Sequence, residues 1–325
     1  MDAVITWVDG SDPDHQAKMA PFLATDEKVP YSAAATRFAN CGEIEFCVMS
    51  IIRFAPWVDT IFIVTDSQQP QFYKSLSDRS LLKRIRIVGH KELFKGYESA
   101  LPVFNSLAIE AMLWNIPELS DDFIYFNDDM MLIRPTPVEA FRSEDQYVLK
   151  GQMKARKSTL WLYRLKTMLL GSSELSRVSY RQLQENSAAI IDSASAYLDL
   201  PHCPHVLNRN SLKFLFQNNH ELFKKTISYR FRDVRQLWSI SLFAHFALAQ
   251  GDAKIDNRYK TLNIKADTYN KKKLSLLLSK VQCAQDYYFI CVQSLDMAAP
   301  EEQAYILQWL TETILNGLEN IGKSC

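Results

Sequence analysis

Apolar and polar positions alternate in a regular way along the first part of the chain. Short apolar runs rich in β-branched and aromatic residues are typical of buried strands, and they lie at residues 3–8, 60–65, 84–88 and 123–126. Between the first two runs, apolar residues recur at helical spacing over residues 44–52, and Pro56 marks the end of that helix. Strands that alternate with helices predict an α/β fold with a mainly parallel sheet flanked by helices.

Polar side chains follow each of these runs. They are Asp9, Asp66, His90 and the pair Asp128–Asp129 after Asn127. Because parallel strands bring their carboxyl ends to one edge of a sheet, we expect these groups to share a cleft. Two adjacent carboxylates are hard oxygen ligands that suit Mg²⁺ or Mn²⁺. The alternative is that Asp128 or Asp129 caps the following turn.

A change in composition near residue 150 separates the later part of the chain from the first. Residues 150–181 interleave lysine and arginine with apolar residues and predict a basic amphipathic helix. Its basic face is solvated, grips an anionic acceptor, or lies on an anionic membrane surface. We therefore expect an N-terminal α/β nucleotide-sugar-binding part at 1–149, a basic helical insertion at 150–200, and a C-terminal part at 201–325 that completes the same domain. Within the last part, we expect two helices over 211–250, loop or edge structure over 252–273, a strand at 286–292 and a helix from Pro300.

Composition excludes several classes of protein. The 325 residues carry 37 basic and 37 acidic side chains, so no bulk attraction to nucleic acid is expected. The six cysteines are dispersed, which argues against a zinc ribbon or a disulfide framework. Neither a signal peptide nor an apolar run of the ~20 residues that span a bilayer is visible. A cytoplasmic protein is expected, with peripheral contact at the inner face of the membrane left open.

Two histidines and two arginines carry further candidate chemistry. His202 and His205 lie in a segment with two prolines, which deny the regular helix on which paired zinc-binding histidines usually sit. A catalytic or phosphate-facing histidine is favoured over a zinc ligand, because histidine titrates near neutral pH. Arg230 and Arg232 would clamp phosphate oxygens if they lie near a site, or would pair with surface acids such as Asp233.

The motifs along the chain, and the order in which they occur, resemble those of the Stealth family. Residues 5–13, Ile-Thr-Trp-Val-Asp-Gly-Ser-Asp-Pro, are similar to its first conserved region, and residues 37–129, which end in Tyr-Phe-Asn-Asp-Asp, are similar to the second. Residues 202–232 are similar to the third region, and the chain from Phe289 onward to the fourth. Together these motifs are far more specific than any one of them alone.

The resemblance implies a hexose-1-phosphate transferase with a GT-A-like nucleotide-sugar fold. The family includes bacterial capsular polysaccharide phosphotransferases and the animal N-acetylglucosamine-1-phosphotransferase. The implied reaction transfers a sugar-1-phosphate from a UDP-sugar to a glycan hydroxyl, forms a phosphodiester and releases UMP, in capsular or cell-surface polysaccharide synthesis. The implied partners are the UDP-sugar donor and a glycan or oligosaccharide acceptor, with contact to the membrane or the capsule assembly machinery left open.

The resemblance also implies roles for individual residues. The pair Asp128–Asp129 holds Mg²⁺ or Mn²⁺. His202 or His205 acts as the general base or contacts phosphate, Arg232 stabilises the transferring phosphate, and Asp9 faces the nucleotide or assists the metal. The residues expected to bind substrate are Trp7, Gly10, Arg37, Asn40, Asn105 and Arg230.

Two alternative functions stay open. A GT-A glycosyltransferase would attack the anomeric carbon of the sugar and release UDP. A non-catalytic nucleotide-sugar-binding subunit would bind the donor without turnover. Structural roles are open as well: Asp9 as a turn cap, Trp7 as a core residue and Asn105 as a helix N-cap.

Overall fold

The computed structural model describes residues 1–23, 38–76, 78–156, 179–191 and 196–316. In these ranges the strands are β1 Asp2–Thr6, β2 Ile61–Thr65, β3 Ile85–Gly89, β4 Asp122–Asn127, β5 Met130–Leu132, β6 Arg142–Ser143, β7 Gln146–Leu149, β8 Gln152–Ala155, β9 Ala196–Asp199, β10 His205–Asn208, β11 Ala253–Ile255, β12 Lys260–Lys265 and β13 Tyr287–Gln293. The α-helices are α1 Pro13–Leu23, α2 Glu43–Phe54, α3 Gln71–Ser75, α4 Arg79–Lys83, α5 His90–Leu93, α6 Ser106–Glu110, α7 Tyr180–Ile191, α8 Arg209–Asn218, α9 His220–Ser228, α10 Ser239–Gln250, α11 Lys271–Cys283 and α12 Pro300–Leu310. None of these helices combines the length and the apolarity that a membrane crossing requires.

The main sheet has five strands in the order β10-β4-β1-β2-β3. β4, β1, β2 and β3 run parallel, with Ile5 opposite Ile63 on one side and Phe126 on the other, and β10 adds antiparallel to β4. β2 is buried along its whole length, which explains why it reads as a continuous apolar run. The predicted α/β class is confirmed, and the ends of the four parallel strands meet at one edge as expected.

A second sheet, in the order β12-β13-β5, adjoins the first. β5 pairs antiparallel with β13, which in turn runs parallel to β12. Helix α2 supports this junction, because the Ser50 hydroxyl accepts a hydrogen bond from the backbone of Leu132 at 3.0 Å. Only Asp128 and Asp129 lie between β4 and β5, so this two-residue turn connects two sheets, with β4 in one and β5 in the other.

The structure corrects three predictions for the second half of the chain. Residues 152–155, expected within the basic helix, form β8, which pairs antiparallel with β9; the rest of that predicted helix, 157–178, lies outside the described residues. Residues 211–250 contain parts of three helices, α8 to α10, and not two. Residues 252–273, expected as loop or edge structure, contain β11 and β12, which are edge strands as predicted, but they also contain the start of α11. The predicted late strand and the final helix that starts at Pro300 are confirmed.

Candidate active site

A cleft of about 570 Å³ opens where the parallel strands of the main sheet end. Its walls also include the segment after β13 and the starts of α2 and α6, so both sheets contribute to it. Six of the residues predicted for the site line this cleft: Trp7, Asn105, Asp128, Asp129, His202 and Arg232.

The turn after β4 presents two carboxylates to the cleft and is held from the second sheet. The backbone N–H of Val292 donates to the carbonyl oxygen of Asp129 at 2.9 Å. The thiol of Cys291 donates to Asp129 Oδ2 at 3.3 Å. The neighbouring strand β13 thus fixes both the backbone and the side chain of Asp129.

Four carboxylates gather on this side of the cleft. Burial raises the pKa of Asp128 well above its ordinary value, and the charges of Asp129 and Glu43 raise it further. Burial also raises the pKa of Glu43, as do Asp129 and Asp296, although Glu43 accepts a backbone hydrogen bond from Cys41. Asp128 and Glu43 therefore resist ionisation while their neighbours are charged. A bound divalent cation would relieve this repulsion, which makes the cluster a candidate cation site.

The donor atoms present fit such a cation. Asp129 Oδ1 is buried and has no hydrogen-bond partner in the described part of the chain. A carboxylate oxygen of Asp129, a ring nitrogen of His202 and the sulfur of Cys291 all lie within 4.8 Å of one another. With Asp128 alongside, the two aspartates offer the hard oxygen ligands that Mg²⁺ and Mn²⁺ prefer, while the Cys291 thiol holds Asp129 in place.

Another part of the cleft wall carries a positive charge. Arg232 Nη2 donates to the Ser106 hydroxyl at 2.6 Å, and its guanidinium lies 5.9 Å from the centre of the Tyr180 ring. Burial opposes this charge, but Tyr180, Glu110 and Tyr125 outweigh it and raise the pKa of Arg232. The cleft therefore has an acidic side and a cationic side.

The structure separates the two candidate histidines. His202 lines the cleft, with its ring 5.4 Å from the ring of Tyr180. His205 begins β10 and is buried; its Nε2 lies 3.1 Å from the carbonyl oxygen of Pro201, to which it donates. Burial, together with Lys150 and His202, lowers the pKa of His205 to about 3. The structure does not bring His205 into the cleft, because its ring is buried and lies 6.0 Å from the ring of Trp238.

Asp9 forms a turn just beyond β1 and is not among the described residues that line the cleft. Its Oδ1 accepts hydrogen bonds from the backbone and hydroxyl of Ser11 at 2.9 and 2.6 Å, and Asn40 Nδ2 lies 3.4 Å from Oδ2. Burial tends to raise the pKa of Asp9, but these bonds and the nearby His15 lower it below its ordinary value. The side chains of Asp9 and Asn40 thus bond to each other in the turn that follows Trp7.

Gly10 allows the chain to pass close to Phe38. Its N–H donates to the carbonyl oxygen of Phe38 at 2.7 Å. A Cβ at this position would lie 2.4 Å from Phe38 Cβ, which no side chain can tolerate without a shift of the backbone. Phe38 itself lines the cleft, so Gly10 shapes the wall without touching its interior.

Asn105 and Arg230 are engaged in structural bonds. Asn105 caps α6 through Oδ1, and its Nδ2 lies within 3.0 Å of acceptors on Tyr229, Phe231 and Gln236. Arg230 donates to the carbonyl oxygen of Pro102 at 2.7 Å and lies over the Phe22 ring, away from the cleft. Arg37 lies outside the described residues.

Sequence reasoning missed several residues of the cleft. His15, on α1, is buried, and its Nδ1 lies 3.1 Å from Asp66 Oδ2. Its Nε2 has no hydrogen-bond partner in the described ranges, and the same holds for Trp7 Nε1. Asp66 was visible as a polar strand end, but its pairing with a helix residue depends on tertiary packing. Glu43, Tyr180 and Asp296 likewise reach the cleft from elements that no short motif connects.

The fold and the cleft thus define an α/β protein that carries both acidic groups and a cationic group at the carboxyl ends of its parallel strands. Residues 1–27 match the model of "Stealth protein CR1, conserved region 1", and residues 37–149 match "Stealth protein CR2, conserved region 2". The predicted resemblance to the Stealth family is confirmed over its first two conserved regions. The similarity to the third and fourth regions stays a prediction.

Similar curated proteins carry related names. The capsular polysaccharide phosphotransferase LcbA of Neisseria meningitidis is 42% identical over 142 residues, which is 43% of this chain and 37% of that protein. The exopolysaccharide phosphotransferase CpsY of Mycobacterium leprae is 29% identical over 308 residues, which is 94% of this chain and 53% of that protein. The chain therefore spans only about a third to a half of these relatives.

Solved structures give distant likenesses. A galactosyltransferase, LgtC, in complex with donor and acceptor sugar analogues, is 12% identical with a TM-score of 0.45, and the match covers 96% of each chain. Mouse xyloside xylosyltransferase 1 is 10% identical with a TM-score of 0.42, over 89% of this chain and 97% of that one. Likenesses this distant support no conclusion about the site or the reaction.

Proposed function

We propose that this protein is an enzyme that transfers a sugar-1-phosphate from a UDP-sugar to a glycan hydroxyl, with release of UMP, in the synthesis of a capsular or cell-surface polysaccharide. The observation that carries the proposal is the division of one cleft between the Asp128–Asp129 turn and Arg232. The names of the relatives, capsular and exopolysaccharide phosphotransferases, support the reaction class.

The charges of the cleft suit a nucleoside diphosphate. Asp128 and Asp129 would hold a divalent cation, and such a cation supplies charge neutralisation to a diphosphate. Arg232 donates to the transferring phosphate from the other side, where its planar guanidinium can bond two oxygens at once. Ser106 and Tyr180 hold that guanidinium in place before substrate arrives.

His202 is the candidate for the proton acceptor, because it lines the cleft whereas His205 is buried. The glycan hydroxyl oxygen bonds to the β-phosphorus of the donor as the bond from that phosphorus to the bridging oxygen breaks. UMP departs with the electrons of that bond, and the hydroxyl proton passes to His202.

Trp7 and His15 both line the cleft and offer contacts that suit the nucleobase. Their ring nitrogens, Trp7 Nε1 and His15 Nε2, are buried and lack partners among the described residues. Phe38 and Phe104 pack against the ring of His15, with centres 5.6 and 5.4 Å away. A planar base with a hydrogen-bonding edge would satisfy both nitrogens, since buried polar atoms normally find a partner.

The test is the identity of the nucleotide that is released. The purified protein is incubated with Mg²⁺, a panel of UDP-sugars and a panel of glycan acceptors, and ³¹P NMR follows the products. UMP together with a new phosphodiester signal supports the proposal. Release of UDP would instead identify a glycosyltransferase. Donor binding with no turnover across the panel would favour a non-catalytic nucleotide-sugar-binding subunit.

A further inference from the structure

Glu110 is a buried carboxyl group directly behind the cleft. It ends the short helix α6, is only 3% exposed, and is not part of the cleft wall. Its Oε2 accepts a hydrogen bond from Trp238 Nε1 at 2.8 Å. A buried carboxyl group is costly unless its partners compensate for the lost water, so the partners of Glu110 indicate what it does.

One set of partners leads to the cationic wall. Ser106 lies four residues before Glu110 on the same helix, and its hydroxyl interacts with the carboxyl group. The same hydroxyl accepts the hydrogen bond from Arg232 Nη2 at 2.6 Å. Glu110 also acts on Arg232 through its charge, so the guanidinium is oriented both by Ser106 and by the carboxylate behind it.

A second set of partners leads to the acidic wall. The hydroxyl of Tyr125 interacts with Glu110 and donates to Asn127 Oδ1 at 2.6 Å. Asn127 ends β4, directly before the turn that carries Asp128 and Asp129. Tyr125 is fully buried and also contacts the Thr6 hydroxyl at 2.9 Å. Glu110 thus lies at the junction of two hydrogen-bonded chains, one of which leads to Arg232 and the other to the turn that carries Asp128 and Asp129.

The supply of protons in this network is limited. A tyrosine or serine hydroxyl has one hydrogen to donate, and an ionised carboxylate can only accept. Burial raises the pKa of Glu110, and Arg232, Ser106, Trp238 and Tyr125 lower it again, so that it comes to about 7. The carboxyl group of Glu110 can therefore accept or donate a hydrogen bond near neutral pH. It can accept from the Tyr125 hydroxyl when that hydroxyl points to it, and donate when the hydroxyl points to Asn127.

We propose that Glu110 is a positioning residue for the transfer reaction, and that it fixes Arg232 through Ser106 and the Asp128–Asp129 turn through Tyr125. The proposal rests on the proposed function for its effect on turnover. The coupling between Glu110 and Arg232 does not depend on which chemical group the enzyme transfers.

The test is a double-mutant cycle with Glu110→Gln and Arg232→Lys, since glutamine keeps the shape of the side chain and removes its charge. We expect Glu110→Gln to lower kcat for UMP release about tenfold with KM within about twofold, because a misplaced group affects mainly the transition state. In the Arg232→Lys background, the same change should have less than about a third of that effect, because Glu110 then has no guanidinium to position. Full additivity would overturn the proposal, and so would a wild-type kcat in Glu110→Gln.

Matched variants separate positioning from burial. Glu185→Gln removes another buried carboxylate, one paired with Arg181 at 2.7 Å on α7; it should lower stability and leave kcat unchanged. If Glu110→Gln does not fold, Ser106→Ala and Tyr125→Phe each cut one chain, and wild-type kcat in both would overturn the proposal. If the wild-type protein releases no UMP, the proposed function is wrong. The double-mutant cycle then compares the affinities of the four proteins for UDP, measured by calorimetry. Additive losses of affinity would then overturn the positioning role by itself.

Discussion

The Cys291 thiol and the Asp129 carboxylate lie 3.3 Å apart, Sγ to Oδ2, although 162 residues separate them in the chain. Burial and the charge of Asp129 raise the pKa of Cys291 far above its ordinary value, so the thiol keeps its proton and donates it. One carboxylate oxygen is thereby held, and the other, Oδ1, has no partner in the described segments. An oriented carboxylate with one free oxygen is what a metal ligand requires.

Asp129→Asn should lower metal-dependent turnover at least about 100-fold, because an uncharged amide binds Mg²⁺ weakly. The metal-free protein should become more stable by about 1 kcal/mol, because Asp128 and Glu43 lose a neighbouring charge. UMP release across a Mg²⁺ titration and thermal denaturation in chelator measure the two effects. The exposed Asp121→Asn is the control and should change neither. Undiminished turnover at saturating Mg²⁺ would contradict the metal assignment.

His202→Asn should lower turnover about 100-fold or more and remove the acidic limb of the pH–rate profile, as expected for the loss of a general base. His205→Asn should leave turnover within about threefold, because that ring is buried away from the cleft. Steady-state rates from pH 5.5 to 9 compare the two variants. A His202→Asn variant that loses affinity for Mg²⁺ but keeps its acidic limb would identify His202 as a metal ligand instead.

Stability should fall in mild acid because two histidines are buried in their neutral form. Burial lowers the pKa of His90 to about 4, and burial with nearby positive charges lowers that of His205 to about 3. Below the ordinary pKa of about 6.5 the unfolded chain takes up protons that the folded chain does not, so folding free energy is lost as pH falls from 6.5 toward 4. His205→Asn should make this loss shallower, and the exposed His220→Asn should not. Urea denaturation at several pH values measures the slope.

Arg232→Lys should lower kcat about 100-fold, because a lysine ammonium cannot bond two phosphate oxygens in the fixed geometry of a guanidinium. Arg230→Lys is the matched control. Arg230 bonds the backbone of Pro102 and lies over Phe22, so its replacement should alter kcat by no more than about twofold. Equal losses in both variants would show that the whole loop, and not Arg232, is responsible.

Gly10→Ala should destabilise the protein by about 2 kcal/mol or more, since the added Cβ would lie 2.4 Å from Phe38 Cβ. Because Phe38 lines the cleft, UDP affinity should fall as well. Gly89→Ala is the control: the nearest atom to its Cβ would be Ser67 Oγ at 3.9 Å, so there is room for the methyl group. Thermal denaturation and calorimetry with UDP distinguish the two variants.

The sheet was predictable because its four parallel strands carry a strong local signal. β2 and β4 are buried on both faces, so their residues are almost all apolar, and polar residues mark where they end. β12 could be predicted only as loop or edge structure, because Lys-Thr-Leu-Asn-Ile-Lys exposes one face and offers only two buried residues. Helix α11 begins with three lysines, which are unfavourable at a helix N-terminus. Its spacing of Leu274, Leu278 and Val281, with Asn270 as N-cap, was the signal that could have found it.

The placement of the site residues was less predictable than their identity. Asp128 and Arg232 line one cleft as the motifs suggested, but His205, only three residues after His202, is buried in the interior. Whether a side chain reaches a cleft depends on the register of its strand, and a shift of one residue reverses it. Asn105 shows that contacts distant in sequence also limit the prediction. Its side-chain amide donates to a loop more than 120 residues later in the chain, which the sequence does not reveal.

The turn between β4 and β5 has a consequence for the order in which the protein is built. β5 pairs with β13, and a nascent chain makes β13 long after it has made the four parallel strands. Until then, neither the Val292 amide nor the Cys291 thiol is there to fix Asp129. Contacts of such long range form late in folding. Tight binding of a divalent cation would therefore report that β13 has been made and has paired with β5, because only then is Asp129 held.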